Sequence, residues 1–260
     1  MQRRAVVCWA VSVWSATVLT AGEITPPVSE RFAETEADEA PDFRRHVVPL
    51  LGRLGCNGRA CHGSFQGQNG FRLSLFGYNF AADHEALTGG EEPRINLAEP
   101  PASLVLQKPT LAIDHGGGER FGPDGWEARL LLRWIEAGAP GVGETDAHLV
   151  TLSVEPSEIL FEAVGESVPL KLIAEWSDGS REDVTPLCRF RTNDESIDTD
   201  GESGVVTAAG KGDTHIIAFY DNGIVPVAAM LAYSSAPPLR KGGVVITEPG
   251  RAAPVRADTA

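Results

Sequence analysis

The sequence predicts two domains: a mainly α first half that wraps a large ligand, followed by an all-β sandwich. Three observations predict this. Helical periodicity is confined to two stretches, 43–54 and 126–137, on either side of a Gly- and Pro-rich run. That run, 55–125, has few regularly spaced apolar side chains and needs something besides its own residues to fill a core. From 149 onward the pattern changes to short apolar runs split by turn signals.

In the first helical stretch Phe43, Val47, Leu50, Leu51 and Leu54 recur at three- and four-residue intervals and define one apolar face. Asp42 is placed to cap its start. Pro49 is awkward inside a helix and is expected to shift or kink it. The second stretch, WEARLLLRWIEA at 126–137, puts Leu130, Leu131, Trp134 and Ile135 on one side, and Gly138 with Pro140 stops it. A Gly/Asp/Thr linker at 141–147 follows. Candidate strands then occupy 149–154, 167–176, 188–192, 204–208, 214–220 and 224–232, separated by Asp178-Gly179, Asp200-Gly201 and Asp221-Asn222-Gly223. Short strands at this spacing over about 85 residues predict an antiparallel sandwich.

The ends carry other information. Arg3 and Arg4, the apolar run 5–19 and the small residues Thr20 and Gly22 read as a signal peptide over 1–22, so the chain is expected to be exported, to a periplasm or cell surface. The run is short and interrupted by Ser and Thr, which favours cleavage over a retained anchor and leaves no integral membrane span in the mature chain. Residues 23–42, rich in Glu, Asp, Pro and Ala, are expected to form a disordered acidic leader, and 235–260 a disordered tail.

With 36 acidic against 22 basic residues the chain has a net charge of -14, which argues against nucleic acid and anionic membrane surfaces as partners. It is compatible with a basic redox partner. Signal removal takes Cys8 and leaves Cys56, Cys61 and Cys188, too few and too odd for a disulfide framework.

Chemistry concentrates in Gly55-Cys56-Asn57-Gly58-Arg59-Ala60-Cys61-His62-Gly63. A C-x-x-C-H string marks c-type haem attachment: two thiols bond the porphyrin vinyl groups and the adjoining imidazole reaches the iron. Here Cys61-His62 is intact, but four residues separate the cysteines instead of two. A bulge at Gly58 would let them still bridge the vinyls. A local Cys56–Cys61 disulfide and part of a zinc site are the other readings; zinc lacks a second cysteine pair nearby.

For the iron's opposite side no methionine is available in this half, since Met230 lies among the strands. Of His46, His84, His115 and His148, the first two read as helix-surface residues and the last lies in the linker. His115, followed by Gly116, Gly117 and Gly118, is the candidate, because glycines let the backbone run close to a porphyrin face. Trp126, Leu130 and Trp134 are expected to pack toward the ligand.

Five motifs occur in order: CNGRACHG (56–63), GFRLSLFG (70–77), SLVLQKPT (103–110), HGGGERF (115–121) and WIEAGAP (134–140). Together they resemble the N-terminal region of large exported planctomycete proteins that carry a cytochrome c-like domain and then a bacterial Ig-like group 2 (BIG2) domain. In the second half, SVEP at 153–156, WSDG at 176–179 with DVT at 183–185, and GVVT at 204–207 resemble the Ig-like part. The resemblance implies a mainly α cytochrome c-like domain over 43–141 and an all-β Ig-like sandwich over 149–234. The two long domains that follow in that family are not in this sequence. The implied function is electron transfer or redox sensing by one covalent haem c. In it Cys56 and Cys61 form thioethers, and His62 and His115 ligate iron. If both axial positions are filled, no position is open for a substrate, and catalysis by this chain is not expected. Two rivals remain. One is a haem-free interaction module with a Cys56–Cys61 disulfide, its Ig-like domain binding a surface protein or polysaccharide. The other is an enzyme with an open iron position.

Overall fold

The computed structural model describes residues 23–34, 39–90, 92–201 and 203–220, and the backbone of 223–231. The signal-like segment 1–22, the predicted tail 235–260 and residues 35–38 of the leader lie outside the described residues.

The leader was expected to be disordered, and the structure corrects this for the part it describes. β1 (Ile24–Thr25) pairs in parallel with a strand at 181–183 in the second half. α1 (Val28–Arg31) follows, and Val28 and Phe32 are fully buried. Arg129 Nε donates to the Phe32 carbonyl at 2.8 Å and fixes this strap to the first half. The leader has few large apolar residues, but Val28 and Phe32 stand four apart and so fall on one helical face.

The first helical stretch begins where Asp42 predicts, with Asp42 Oδ1 accepting from the Arg45 backbone N–H at 2.7 Å. Pro49 is accommodated by a change of helix type. Residues Phe43–Val47 form a π-helical turn, and α2 (Val48–Arg53) starts afresh with Pro49 in its first turn, where a missing N–H costs nothing. The rest of this half contains a 3₁₀ turn at Leu75–Gly77, α3 (Phe80–Thr88), a 3₁₀ turn at Pro100–Ala102, α4 (Leu104–Gln107) and α5 (Trp126–Glu136).

The first half is therefore not a mainly α domain. Its five α-helices have between 4 and 11 residues, and turns and extended chain supply most of 55–125. The physical reason lies in the Gly- and Pro-rich composition, which stops each helix before it can propagate. The core is correspondingly local. Leu50, Leu130, Leu131 and Trp134 are fully buried, and the Trp134 ring stacks on Phe43 at 5.3 Å between centroids.

The second half is built of strands: β2 (Leu149–Glu155), β3 (Glu158–Phe161), β4 (Ser167–Pro169), β5 (Lys171–Trp176), β6 (Arg181–Asp183), β7 (Arg189–Thr192), β8 (Ile197–Thr199), β9 (Val205–Ala208), β10 (Gly212–Tyr220) and β11 (Gly223–Leu231). They form three sheets, in the orders β1-β6-β5-β2, β3-β11-β10-β7 and β4-β9-β8. The expected purely antiparallel two-sheet sandwich is thus corrected as well: β1 with β6 and β3 with β11 are parallel pairs. The single strand expected over 167–176 divides at Leu170, where Pro169 ends one ladder; β4 pairs with β9 and β5 with β2 and β6. Strand β10 shows the period-2 pattern of a half-buried strand, with Ile216, Ala218 and Tyr220 inward. Cys188 is fully buried, and its thiol donates to the Val184 carbonyl.

The two halves share a polar seam. Arg45 donates to Asp178 at 2.6 Å and to Ser180 at 3.0 Å, lies over the Trp176 ring, and accepts at its carbonyl from Tyr220 Oη at 2.6 Å. Glu182 is buried and receives both Arg31 and His46 Nε2, the latter at 3.0 Å. His46 Nδ1 accepts from the Asp42 backbone N–H at 2.9 Å, so its proton is on Nε2, donated to Glu182. His46 was expected at the helix surface. It is buried instead, because the seam covers the π-turn's outer face.

Candidate haem site

The loop after α2 shows how six residues from Cys56 to Cys61 can act as a tight pair. Cys61 N–H donates to Gly58 O at 3.0 Å, Gly63 N–H to Gly58 O at 3.0 Å, and His62 N–H to Cys56 O at 2.9 Å. The chain closes on itself, and the four intervening residues Asn57 to Ala60 form the bulge. Gly63 is required for this closure: a Cβ there would stand 2.0 Å from the Asn57 carbonyl oxygen. Both thiols then face one cavity of about 480 Å³, within the range of small-molecule and cofactor sites.

His62 and His115 line the same cavity. Each imidazole is anchored through Nδ1: His62 donates to the Phe71 carbonyl at 3.1 Å, and His115 to the Gly118 carbonyl at 2.9 Å. A proton held on Nδ1 leaves the Nε2 lone pair as the coordinating nitrogen, which is how metal-binding histidines are ordinarily oriented. Phe71 also packs against the His62 ring, with centroids 4.7 Å apart. Gly117 lies against the His115 ring, and a Cβ there would come within 2.8 Å of Cε1, so a larger residue would push the imidazole from its place.

Burial holds the His62 imidazole below its ordinary pKa of 6.5. The His115 ring and the charges of Arg94 and Lys108 act in the same direction, against the Phe71 carbonyl, which favours the charged form. The neutral, coordinating form is therefore the favoured one. Apolar walls come from Leu51, Leu73, Leu87, Leu104 and Val105. Trp126, Leu130 and Trp134 were expected there and are not on the lining. Trp134 packs on Phe43 and His84, and Trp126 faces a separate cleft with Arg53, Leu170 and Lys171. His84 Nε2 donates to the Ala139 carbonyl at 2.8 Å, which commits this histidine to the core edge.

No known protein family profile matches the chain, and no curated protein matches it. Among solved structures it is similar to two pieces of the S-layer protein SbsC. Domains 5–6 match at 16% identity and a TM-score of 0.27 over 34% of this chain and 45% of that one. Domains 4 and 5 match at 16% identity and a TM-score of 0.26 over 34% and 54%. The chain thus spans about half the length of the solved structures it matches.

The residues present fit a haem. Iron in a porphyrin needs only two protein ligands, and two imidazoles with free Nε2 positions are in place. Among the described residues no group of three or more His, Cys, Asp or Glu side chains gathers as a metal centre. Cys56 and Cys61 are both free thiols.

The three described thiols differ in surroundings. Burial pushes the Cys56 thiol up to about 12, against slight relief from Arg120, and pushes the fully buried Cys188 well above its ordinary range. Cys56 and Cys61 are both half-buried by exposure, and Arg120 Nη2 stands 3.9 Å from the Cys61 sulfur. In the reduced, unloaded chain, iodoacetamide in mildly alkaline buffer is expected to modify Cys61 at least ~10-fold faster than Cys56, with Cys188 reacting only on unfolding. Peptide mass spectrometry over a time course reads this order, and equal rates at Cys56 and Cys61 would contradict the raised Cys56 thiol. Nothing in the sequence marks Arg94 as a cavity residue, and Lys108 and Arg120 lie inside two of the motifs, SLVLQKPT and HGGGERF, whose spacing alone does not point them to the cavity.

Proposed function

We propose that this chain is an exported redox module that carries one covalently attached haem c and serves electron transfer or redox sensing. The observation that carries the reading is the convergence of Cys56, Cys61, His62 and His115 on one apolar-walled cavity, with both imidazoles anchored through Nδ1. The motif resemblance and the signal-like N-terminus point the same way.

In this reading Cys56 and Cys61 would attach the haem, each thiol adding S–H across a vinyl group so that nothing is oxidised. His62 and His115 would hold the iron through Nε2. The bound haem supplies a one-electron iron couple, and paired imidazoles hold its potential below that of a His/Met site. Leu51, Leu73, Leu87 and Val105 exclude water from the cavity wall, which limits charge reorganisation on electron transfer. No helix among the described residues is long and apolar enough to cross a membrane. The redox partner is proposed to be a protein that approaches the open side of the cavity.

The test is a pyridine haemochrome spectrum of the denatured chain after export in cells that carry a haem-attachment system. A c-type band that stays with the polypeptide is the expected result. A colourless chain from cells that mature a control cytochrome would overturn the reading and leave the Cys56 and Cys61 thiols for a local disulfide.

A further inference from the structure

Arg94, Lys108 and Arg120 line the same cavity as the two histidines. Their placement is unusual for this chain in two respects. The whole chain has a net charge of -14, yet the cavity carries three cationic side chains against one acidic one, Asp114. Among the described residues none of the three cations forms an ion pair. Arg94 lies over the Phe71 ring with its guanidinium carbon 5.2 Å from the centroid. Lys108 Nζ donates to the Asp114 backbone carbonyl at 3.3 Å, and Arg120 reaches the Cys61 sulfur.

Positive charge on a partly enclosed, apolar-walled cavity costs solvation, and no carboxylate pairs with these three cations among the described residues. An anionic ligand would return that cost. The cations come from three separate segments, between α3 and α4, after α4, and after the glycine loop, and meet only at the cavity.

We propose that Arg94 and Lys108 form a carboxylate-binding part of the cavity, selective for a flat apolar ligand bearing two carboxylates. This rests on the haem reading, in which those carboxylates are the porphyrin propionates and Arg120, beside the Cys61 thiol, stands on the vinyl side. Charge-assisted hydrogen bonds from the guanidinium group and the ammonium orient the ring before the thiols and imidazoles engage it.

The test separates this from covalent attachment by using probes without iron. Protoporphyrin IX and its dimethyl ester differ only in their two carboxylates, and binding of each to the reduced, unloaded full-length chain is followed by fluorescence. The diacid is expected to bind at least tenfold tighter than the diester, with the gap narrowing as salt rises. The gap should also fall in R94Q and in K108Q singly, so one poorly folded variant does not decide the result, and should persist in R120Q. Equal affinity for the two probes overturns the carboxylate site and leaves covalent haem standing. Failure of both to bind overturns it too, and the haemochrome spectrum then reports separately on the haem reading.

Discussion

Replacing His115 with alanine in the haem-loaded chain is expected to convert a six-coordinate, low-spin spectrum to a high-spin one while leaving the covalent haemochrome band at full intensity. The thioethers would depend on Cys56 and Cys61 and not on the glycine loop, so attachment and sixth-ligand ligation separate. Added imidazole should restore the low-spin bands by filling the vacated position, and the midpoint potential should rise when the second histidine is absent. Gly117→Ala is the companion variant. Its methyl group would press on the His115 ring from 2.8 Å and should produce a mixture of the two spin states. A His115→Ala spectrum identical to the parent would take His115 off the iron and turn attention to the rest of the cavity wall.

Glu182→Ala should cost about 3–5 kcal/mol of stability, the usual result of removing one member of a buried ion pair and leaving the others without a partner. Glu182 is 5% exposed and receives both Arg31 and His46, so its loss strands the His46 N–H at the seam between the halves and leaves Arg31 only Glu39 and the Pro26 carbonyl. Glu182→Gln keeps an acceptor for His46 and should cost less. The contrast is Lys171, half exposed, 3.5 Å from Asp183: its replacement by alanine should change stability by no more than about 1 kcal/mol. Urea denaturation followed by tryptophan fluorescence reads all three. A loss below about 1 kcal/mol for Glu182→Ala would show that the halves are held together elsewhere.

Elements whose signal is local were legible in the sequence. Trp126–Glu136 was bounded on one side by its periodicity and on the other by Gly138. Most long strands were found within two residues of their ends. The short strands β1, β3, β6 and β8 were missed, because two to four residues carry too little alternation to be seen, and their existence depends on partners distant in sequence. The same reason explains the leader. Val28 and Phe32 are apolar only as a pair, and what buries them lies some hundred residues away on α5 and the second half. The mainly α expectation failed because a haem motif is consistent with many wrappings, and the glycines in 55–125 allow one made largely of turns.

At the site, the four residues named from the motif and the glycine loop do meet in one cavity. Their imidazole anchors were not legible, since both acceptors are backbone carbonyls, and a carbonyl has no signature in sequence. The cations were equally silent. Arg94, Lys108 and Arg120 are ordinary residues at ordinary spacing, and only the fold shows that they face inward together. Trp126 and Trp134 illustrate the reverse error: large aromatic residues near a cofactor motif look like pocket residues, yet a short helix has only one inward face, and here the core claims it.

The strap at the start of the described chain has a practical consequence for anyone dissecting this protein. The obvious place to cut is the Gly/Asp/Thr run at 141–147, which divides the sequence cleanly into a haem piece and a strand piece. Yet Ile24 and Thr25 belong to the first piece by covalent order and to the second by hydrogen bonding, as the outermost strand beside Arg181 and Glu182. A fragment beginning at the seam would expose a raw sheet edge, and its counterpart would trail an unpaired end with Val28 and Phe32 open to water. Each would report a stickiness that the intact chain does not have.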